Sequence, residues 1–292
     1  MARPKELTWG EALAYTLKYD DRWRNGGGRE TAILYSGYFT EMHGTSFKLK
    51  RVTKRLISED CFELQNKGKK NGTINRYISA VSKVLRYTHE VGLWEGDLPM
   101  PFKRYKENQD ATERHHYSHS QVKEMVRHCR EDLDREDLAD IILFAALTGI
   151  RQDKILKMQS DRIRFDDGLI NVIKTKNGEW RTIPIHDELK PILVRRCTEG
   201  KSLFGKDWNN ADQLRHQFRR VIHNFMGLPQ DSGWTFHGLR HSFGTWMVAA
   251  GVPIREGMEL MGHKSINTTL RYCKSTDQGR RSAIDSLGFS CA

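Results

Sequence analysis

Apolar positions in the first hundred residues recur at the spacing of a helix face. The clearest stripe is Ile74, Ile78, Val81 and Leu85, with Arg76, Lys83 and Arg86 elsewhere on the same helix. The pattern breaks from Leu98 to His119, where Pro99, Pro101 and the run Lys103-Arg104-Tyr105-Lys106 replace aliphatic residues, the composition of a linker. Asp140 to Leu147 then predicts an apolar helix closed by Thr148-Gly149, because glycine accepts the left-handed conformation that follows a last helical turn. Two runs, Leu169–Thr175 and Trp180–Ile185, flank Asn177-Gly178, a turn signal that predicts a β-hairpin with Pro184 near a strand end. Helical patterning returns at Asp187 and persists. The expected fold is mainly α with a small antiparallel β-sheet (α+β): a helical domain over residues 1–105, a linker over 106–118 and a second domain over 119–292.

Length agrees, since 292 residues exceed what one core usually serves. Lys and Arg number 48 against 37 Asp and Glu, a net charge of +11 that both halves of the chain share. A basic surface across both domains suits a polyanionic partner such as nucleic acid. The five cysteines are scattered without a C-x-x-C pair, which argues against a disulfide framework or a zinc module. No apolar run has the length of a signal peptide core or a membrane span. The expectation is a soluble protein without membrane association in a reducing compartment, the cytoplasm.

Two segments can carry chemistry. Thr235-Phe236-His237-Gly238-Leu239-Arg240-His241 reads as the start of a helix with Thr235 as its N-cap. Three-residue spacing puts His237 and Arg240 on one face, where imidazole, guanidinium and free backbone N–H groups make a phosphate site. By itself this fragment is equally a solvated polar face. Further on, Leu260-Met261-Gly262-His263 ends one helix, and Ser265 is placed to cap another that carries Thr268, Thr269, Arg271 and Tyr272. Taken alone, Tyr272 is an ordinary partly buried tyrosine.

The ordered set says more. Thr148-Gly149-Ile150-Arg151, a hairpin lysine, His237 with Arg240, Gly262-His263, and Tyr272 nine residues after that histidine resemble the phage integrase family of tyrosine recombinases. The likeness is close over residues 119–275 and looser over 73–94, which is similar to the family's SAM-like helical core-binding domain. The resemblance implies a C-shaped clamp on double-stranded DNA, with the second domain catalytic. It implies a site-specific recombinase that cuts and rejoins strands at an attachment or crossover site, leaving a 3′-phosphotyrosine on Tyr272 and a free 5′-hydroxyl. Homotetramers at synapsis and accessory DNA-bending or excision factors belong to the same implication, as does a bacterial or phage-infected cell as the setting.

The residue types suit that chemistry. The transition state of attack on a phosphodiester gathers negative charge on its non-bridging oxygens, which the guanidinium forks of Arg151 and Arg240 can grip. His237 and His263 can add hydrogen bonds, and His237 can help take the tyrosine proton. The family assigns protonation of the departing 5′-oxygen to a hairpin lysine: Lys176 beside the turn is the choice, with Lys174 on the same strand face left open. No cofactor and no metal is required. Lys69, Lys70, Arg76, Lys83 and Arg86 are expected to contact DNA phosphates. One position departs from the family pattern: Lys154 stands where an acidic residue is usual, with Asp153 one position early as a substitute.

Other readings compete. Gly200-Lys201-Ser202-Leu203-Phe204-Gly205-Lys206 matches most of a P-loop, but Asp207 replaces the magnesium-binding hydroxyl, and the segment reads as a loop between helices. His115, His116 and His119 read as parts of a polar linker in preference to metal ligands. A DNA-binding regulator without catalysis would use Ala249 to Tyr272 as a helix-turn-helix. A type IB topoisomerase would share the tyrosine chemistry.

Overall fold

The computed structural model describes residues 6–24, 26–95, 97–107, 115–173, 180–208, 210–229 and 233–273. The chain divides into two units, Met1–Ala111 and Thr112–Ala292.

The first unit is built on α1 (Trp9–Tyr19), α2 (Gly26–His43), α3 (Lys54–Asn66) and α4 (Asn71–Glu90). Thr8 and Glu11 form a reciprocal capping box that fixes the start of α1. The stripe expected from the sequence is the buried face of α4: Ile74, Ile78, Val81 and Leu85 are all at most 1% exposed and pack with Trp9, Phe39, Ile57 and Leu64. Asp60 is buried among them, where it accepts hydrogen bonds from the Tyr77 hydroxyl and pairs with His43. On the outside, Lys69, Lys70, Arg76 and Arg86 are exposed. Lys83 is committed differently, since its ammonium pairs with Asp20 at 2.6 Å.

The second unit opens with α5 (His119–Glu131), α6 (Glu136–Thr148) and the short α7 (Gln152–Leu156). A sheet follows, with β1 (Ile163–Arg164), β2 (Leu169–Ile173) and β3 (Trp180–Pro184). Then come α8 (Lys190–Thr198), α9 (Ala211–Arg220) with a π-helical turn at Val221–Phe225, α10 (His237–Ala249), α11 (Ile254–Met261) and α12 (Ile266–Leu270). Helix α6 is the axis of this unit: Leu138, Ile141, Ile142, Phe144 and Ala145 are at most 1% exposed, and α5 and α10 pack on it. A buried acid, Asp140, sits on α6 and holds Arg195 and Arg196 of α8 at 2.6 and 2.7 Å.

The sheet is antiparallel in the order β1-β2-β3, and β2 pairs with β3 in the register Ile170↔Ile183 and Val172↔Arg181. Residues 174–179, with Lys174, Lys176 and the Asn177-Gly178 turn, lie outside the described residues. Strand β1, only two residues long, carries no period that the sequence could reveal. Pro184 ends β3, and Ile185, expected within it, instead bonds to Gly168 just before β2.

Two expectations are corrected. Residues 115–118, read as linker, belong to the second unit: Tyr117 is wholly buried against Phe218 and Trp234, and His115 stacks on Trp234. One aromatic anchor outweighs the polar composition around it. Thr235 does not cap α10. Phe236 occupies the cap position with helical dihedrals, and the Thr235 carbonyl accepts from the Gly238 N–H in a tight first turn. The Gly200–Lys206 segment joins α8 to α9 and buries Leu203 and Phe204, as a connecting loop would.

Candidate active site

Two left-handed glycines aim the chain into the site. Gly149, φ 59°, ends α6 and turns the chain towards Arg151, which caps α7 and is exposed. Gly262, φ 62°, ends α11 and delivers His263. Arg240, on α10 and only 3% exposed, ties these two ends together: one Nη donates to the Gly149 carbonyl and the other to the Met261 carbonyl, the latter at 2.6 Å. Its fork is thereby locked, with N–H groups to spare for an incoming anion. The start of α10 is fixed in turn by Tyr117, whose hydroxyl donates to the Thr235 carbonyl at 3.0 Å and whose ring leaves no room for a side chain at Gly238.

Tyr272 follows α12 by two residues and lies in a slot. Its hydroxyl is 2.9 Å from Nδ1 of His241, its ring lies parallel to that of His263 with centroids 6.3 Å apart, and the ring packs on Gly244, where a Cβ would come within 2.9 Å of it. His237, one turn before His241 on α10, is exposed and meets the His241 ring edge-on at 4.8 Å. His263 is 9% exposed, and its Nδ1 lies 2.8 Å from the Thr269 hydroxyl on α12. Where that hydroxyl donates, Nε2 carries the ring proton.

The electrostatics are those of an anion site. Burial and the charges of Arg151 and Arg181 hold Arg240 down to about 9. Burial and Arg151 hold Arg181 down to about 10. Burial, Arg240, Arg151 and Arg181 push His263 down to about 4, so its imidazole is neutral at physiological pH. Among the described residues, no carboxylate contributes to any of these three shifts. Lys154 is half-buried, and its own charge is disfavoured by burial, Lys157 and Arg151. Asp153, expected as a substitute for the missing acid, is exposed and forms no ion pair with the arginines among the described residues.

Residues 116–279 match the model of the phage integrase family. The chain belongs to the phage integrase family. It is 31% identical over 224 residues to the tyrosine recombinase XerA of Thermococcus kodakarensis, an alignment covering 74% of this chain and 76% of that protein. It is 31% identical over 170 residues to the XerA of Pyrococcus furiosus, there covering 56% of this chain and 59% of that protein. In fold it is similar to the Tn1549 transposon integrase solved with transposon right end DNA, with a TM-score of 0.76, 17% identity, and 97% of this chain and 100% of that chain covered. A lambda integrase tetramer bound to a Holliday junction gives a TM-score of 0.70 at 18% identity, covering 94% of this chain and 80% of that one. Integrase-family members of this kind are tyrosine recombinases, enzymes that cut and rejoin DNA.

Within this integrase-family unit the structure brings Arg151, Arg240, His263 and Tyr272 near one another, with His237 touching the His241 ring. Three neighbours had no role in the sequence reading. His241 reaches the Tyr272 hydroxyl, Gly244 floors its ring, and Arg181 adds a third guanidinium. For Arg181 a signal existed. Strand side chains alternate, so Arg181 shares the face of the buried Ile183, and a charge at a core-facing strand position marks a site.

Proposed function

We propose that this chain is a site-specific DNA recombinase in which Tyr272 attacks the scissile phosphate. The Tyr272 oxygen forms a bond to phosphorus, the bond to the 5′-oxygen breaks, and the products are a 3′-phosphotyrosine and a free 5′-hydroxyl. Rejoining is the same transfer in reverse, with a 5′-hydroxyl as nucleophile. A phenol, with an ordinary pKa near 10, needs a base at hand. The observation that carries the reading is the 2.9 Å contact between the Tyr272 hydroxyl and Nδ1 of His241 in a slot bordered by His263 and Arg240. That contact supports His241 as first acceptor of the tyrosine proton, with His237 beside it, a change from the sequence reading, which gave His237 this part.

Arg151 and Arg240 grip the non-bridging oxygens, and their charges stabilise the transition state more than the ground state. Neutral His263 donates from Nε2 to the same phosphate. Lys176, on the β2–β3 connection, is assigned the proton for the 5′-oxygen, with Lys174 as the alternative. Lys69, Lys70, Arg76 and Arg86 are assigned to DNA phosphates outside the pocket. Lys83 is assigned with them only where it gives up Asp20. Four protomers would synapse two DNA sites in the cytoplasm of the host cell, with accessory DNA-bending or excision factors as further partners.

The test is a nicked or 5′-phosphorothiolate-bearing cognate site. Wild-type protein should form a covalent adduct resistant to denaturation, and Tyr272→Phe should form none while binding DNA nearly as well. An adduct with the phenylalanine variant removes Tyr272 from the role of nucleophile.

A further inference from the structure

Arg181 is a charge built into the wrong face of a strand for any purely structural purpose. Its Cα partner across the sheet is Val172, and two residues along the same strand face is Ile183; these two are 4% and 2% exposed. An aliphatic side chain would continue that face without desolvating a guanidinium. The guanidinium is also left unsatisfied, for Nη1 is buried and has no hydrogen-bond partner among the described residues. An unpaired buried donor is destabilising, the more so when it is charged.

The chain even makes room for it. A Cβ on Gly262 would lie 2.8 Å from Nε and 3.0 Å from Cδ of Arg181, so the glycine that ends α11 also seats this side chain. Arg181 lies close enough to Arg240, Arg151 and His263 for their charges to be felt mutually. Three guanidiniums lie within reach of one another's charge, with no carboxylate among the described residues contributing, and two of them are largely withdrawn from water. The ligand that such a pocket lacks is an oxyanion with several acceptor atoms.

We propose that Arg181 is a third guanidinium ligand of the scissile phosphate, donating from Nη1 to a non-bridging oxygen alongside Arg151 and Arg240. This rests on the reading of the pocket as the recombinase centre. It also accounts for how the centre does without the usual acid at Lys154. Arg181 reaches in from the sheet and is held by strand register and by Gly262, so its orientation requires no carboxylate.

Arg181→Met separates this role from a structural one, because methionine fits the apolar face and removes the unsatisfied charge. The free variant should melt at or above the wild-type temperature while adduct formation in a single turnover falls about 10²-fold, the scale of a lost oxyanion donor. A site carrying a methylphosphonate at the scissile position, with one non-bridging oxygen neutralised, should shrink that deficit at least about tenfold relative to wild type, since one cation fewer is then needed. Arg181→Lys keeps the charge and loses the fork, and should fall between the two; it carries the test if the methionine variant does not fold. Wild-type cleavage by Arg181→Met or Arg181→Lys overturns the proposal, as does a deficit of equal size on phosphate and methylphosphonate. Failure of the wild-type protein itself to form an adduct would instead overturn the recombinase reading.

Discussion

Gly244→Ala should uncouple stability from chemistry. The added Cβ would lie 2.9 Å from Cε1, Cε2 and Cζ of Tyr272, whereas carbon atoms rest about 3.5–4.0 Å apart. The ring must therefore retreat by about 0.6–1 Å. Its hydroxyl moves with it, stretching the 2.9 Å contact with His241 and displacing the proposed nucleophile from its place. A misplacement of that size is worth about 10²-fold in rate, or about 2.7 kcal/mol of barrier. The fold is affected far less. Alanine gains about 1 kcal/mol over glycine within a helix, and this offsets the cost of crowding against a ring that is only partly buried. The assay pairs single-turnover adduct formation on a nicked site, read on a denaturing gel, with thermal melting and DNA binding. The expected pattern is a melting point within a few degrees of wild type, unchanged DNA affinity and a rate lower by about two orders of magnitude. Cleavage at the wild-type rate would show that the Gly244 contact does not position the nucleophile, and the account of the slot would fail.

Other outcomes follow from the same packing. His263 is held near 4 in the fold against an ordinary value of 6.5, so the unfolded chain takes up its proton first as pH falls. The stability from its neutral form is complete above about pH 6.5 and lost on the way down to about 4, an amount of about 3 kcal/mol. Comparing melts of wild type and His263→Gln at pH 7 and pH 5 checks this, and parallel pH dependence would refute it. Asp140→Ala should cost about 3–5 kcal/mol, because it leaves the buried Arg196 with Asp207 as its one ion-pair partner among the described residues. Urea unfolding measures that loss, and a value under about 1 kcal/mol would mean that the network is replaceable by water.

Much of this was legible in the chain itself, for identifiable reasons. The stripe on α4 follows from a 3.6-residue period, and Gly149 and Gly262 announce helix ends because few other residues tolerate positive φ. Arg151, Arg240, His263 and Tyr272 could be gathered by order and spacing. What escaped depends on the third dimension. His241 and Gly244 matter only because Tyr272 folds back across α10, a contact 31 residues long in sequence at His241. Tyr117 was hidden inside a polar stretch whose average composition said linker. Thr235 has the chemistry of a cap, but a cap also needs an extended backbone, and the helix begins instead from Phe236 with helical dihedrals.

The charge count of the pocket also bears on which way the reaction runs. A DNA phosphodiester carries one negative charge, and so does the phosphotyrosine diester that replaces it. On the reading proposed above, Arg151, Arg181 and Arg240 would therefore meet a monoanion before cleavage, during the covalent stage and after rejoining. In net charge, such a pocket would not distinguish the starting diester from the covalent one. The cluster lowers the barrier equally from both sides. On that reading, direction would have to be imposed from beyond the phosphate.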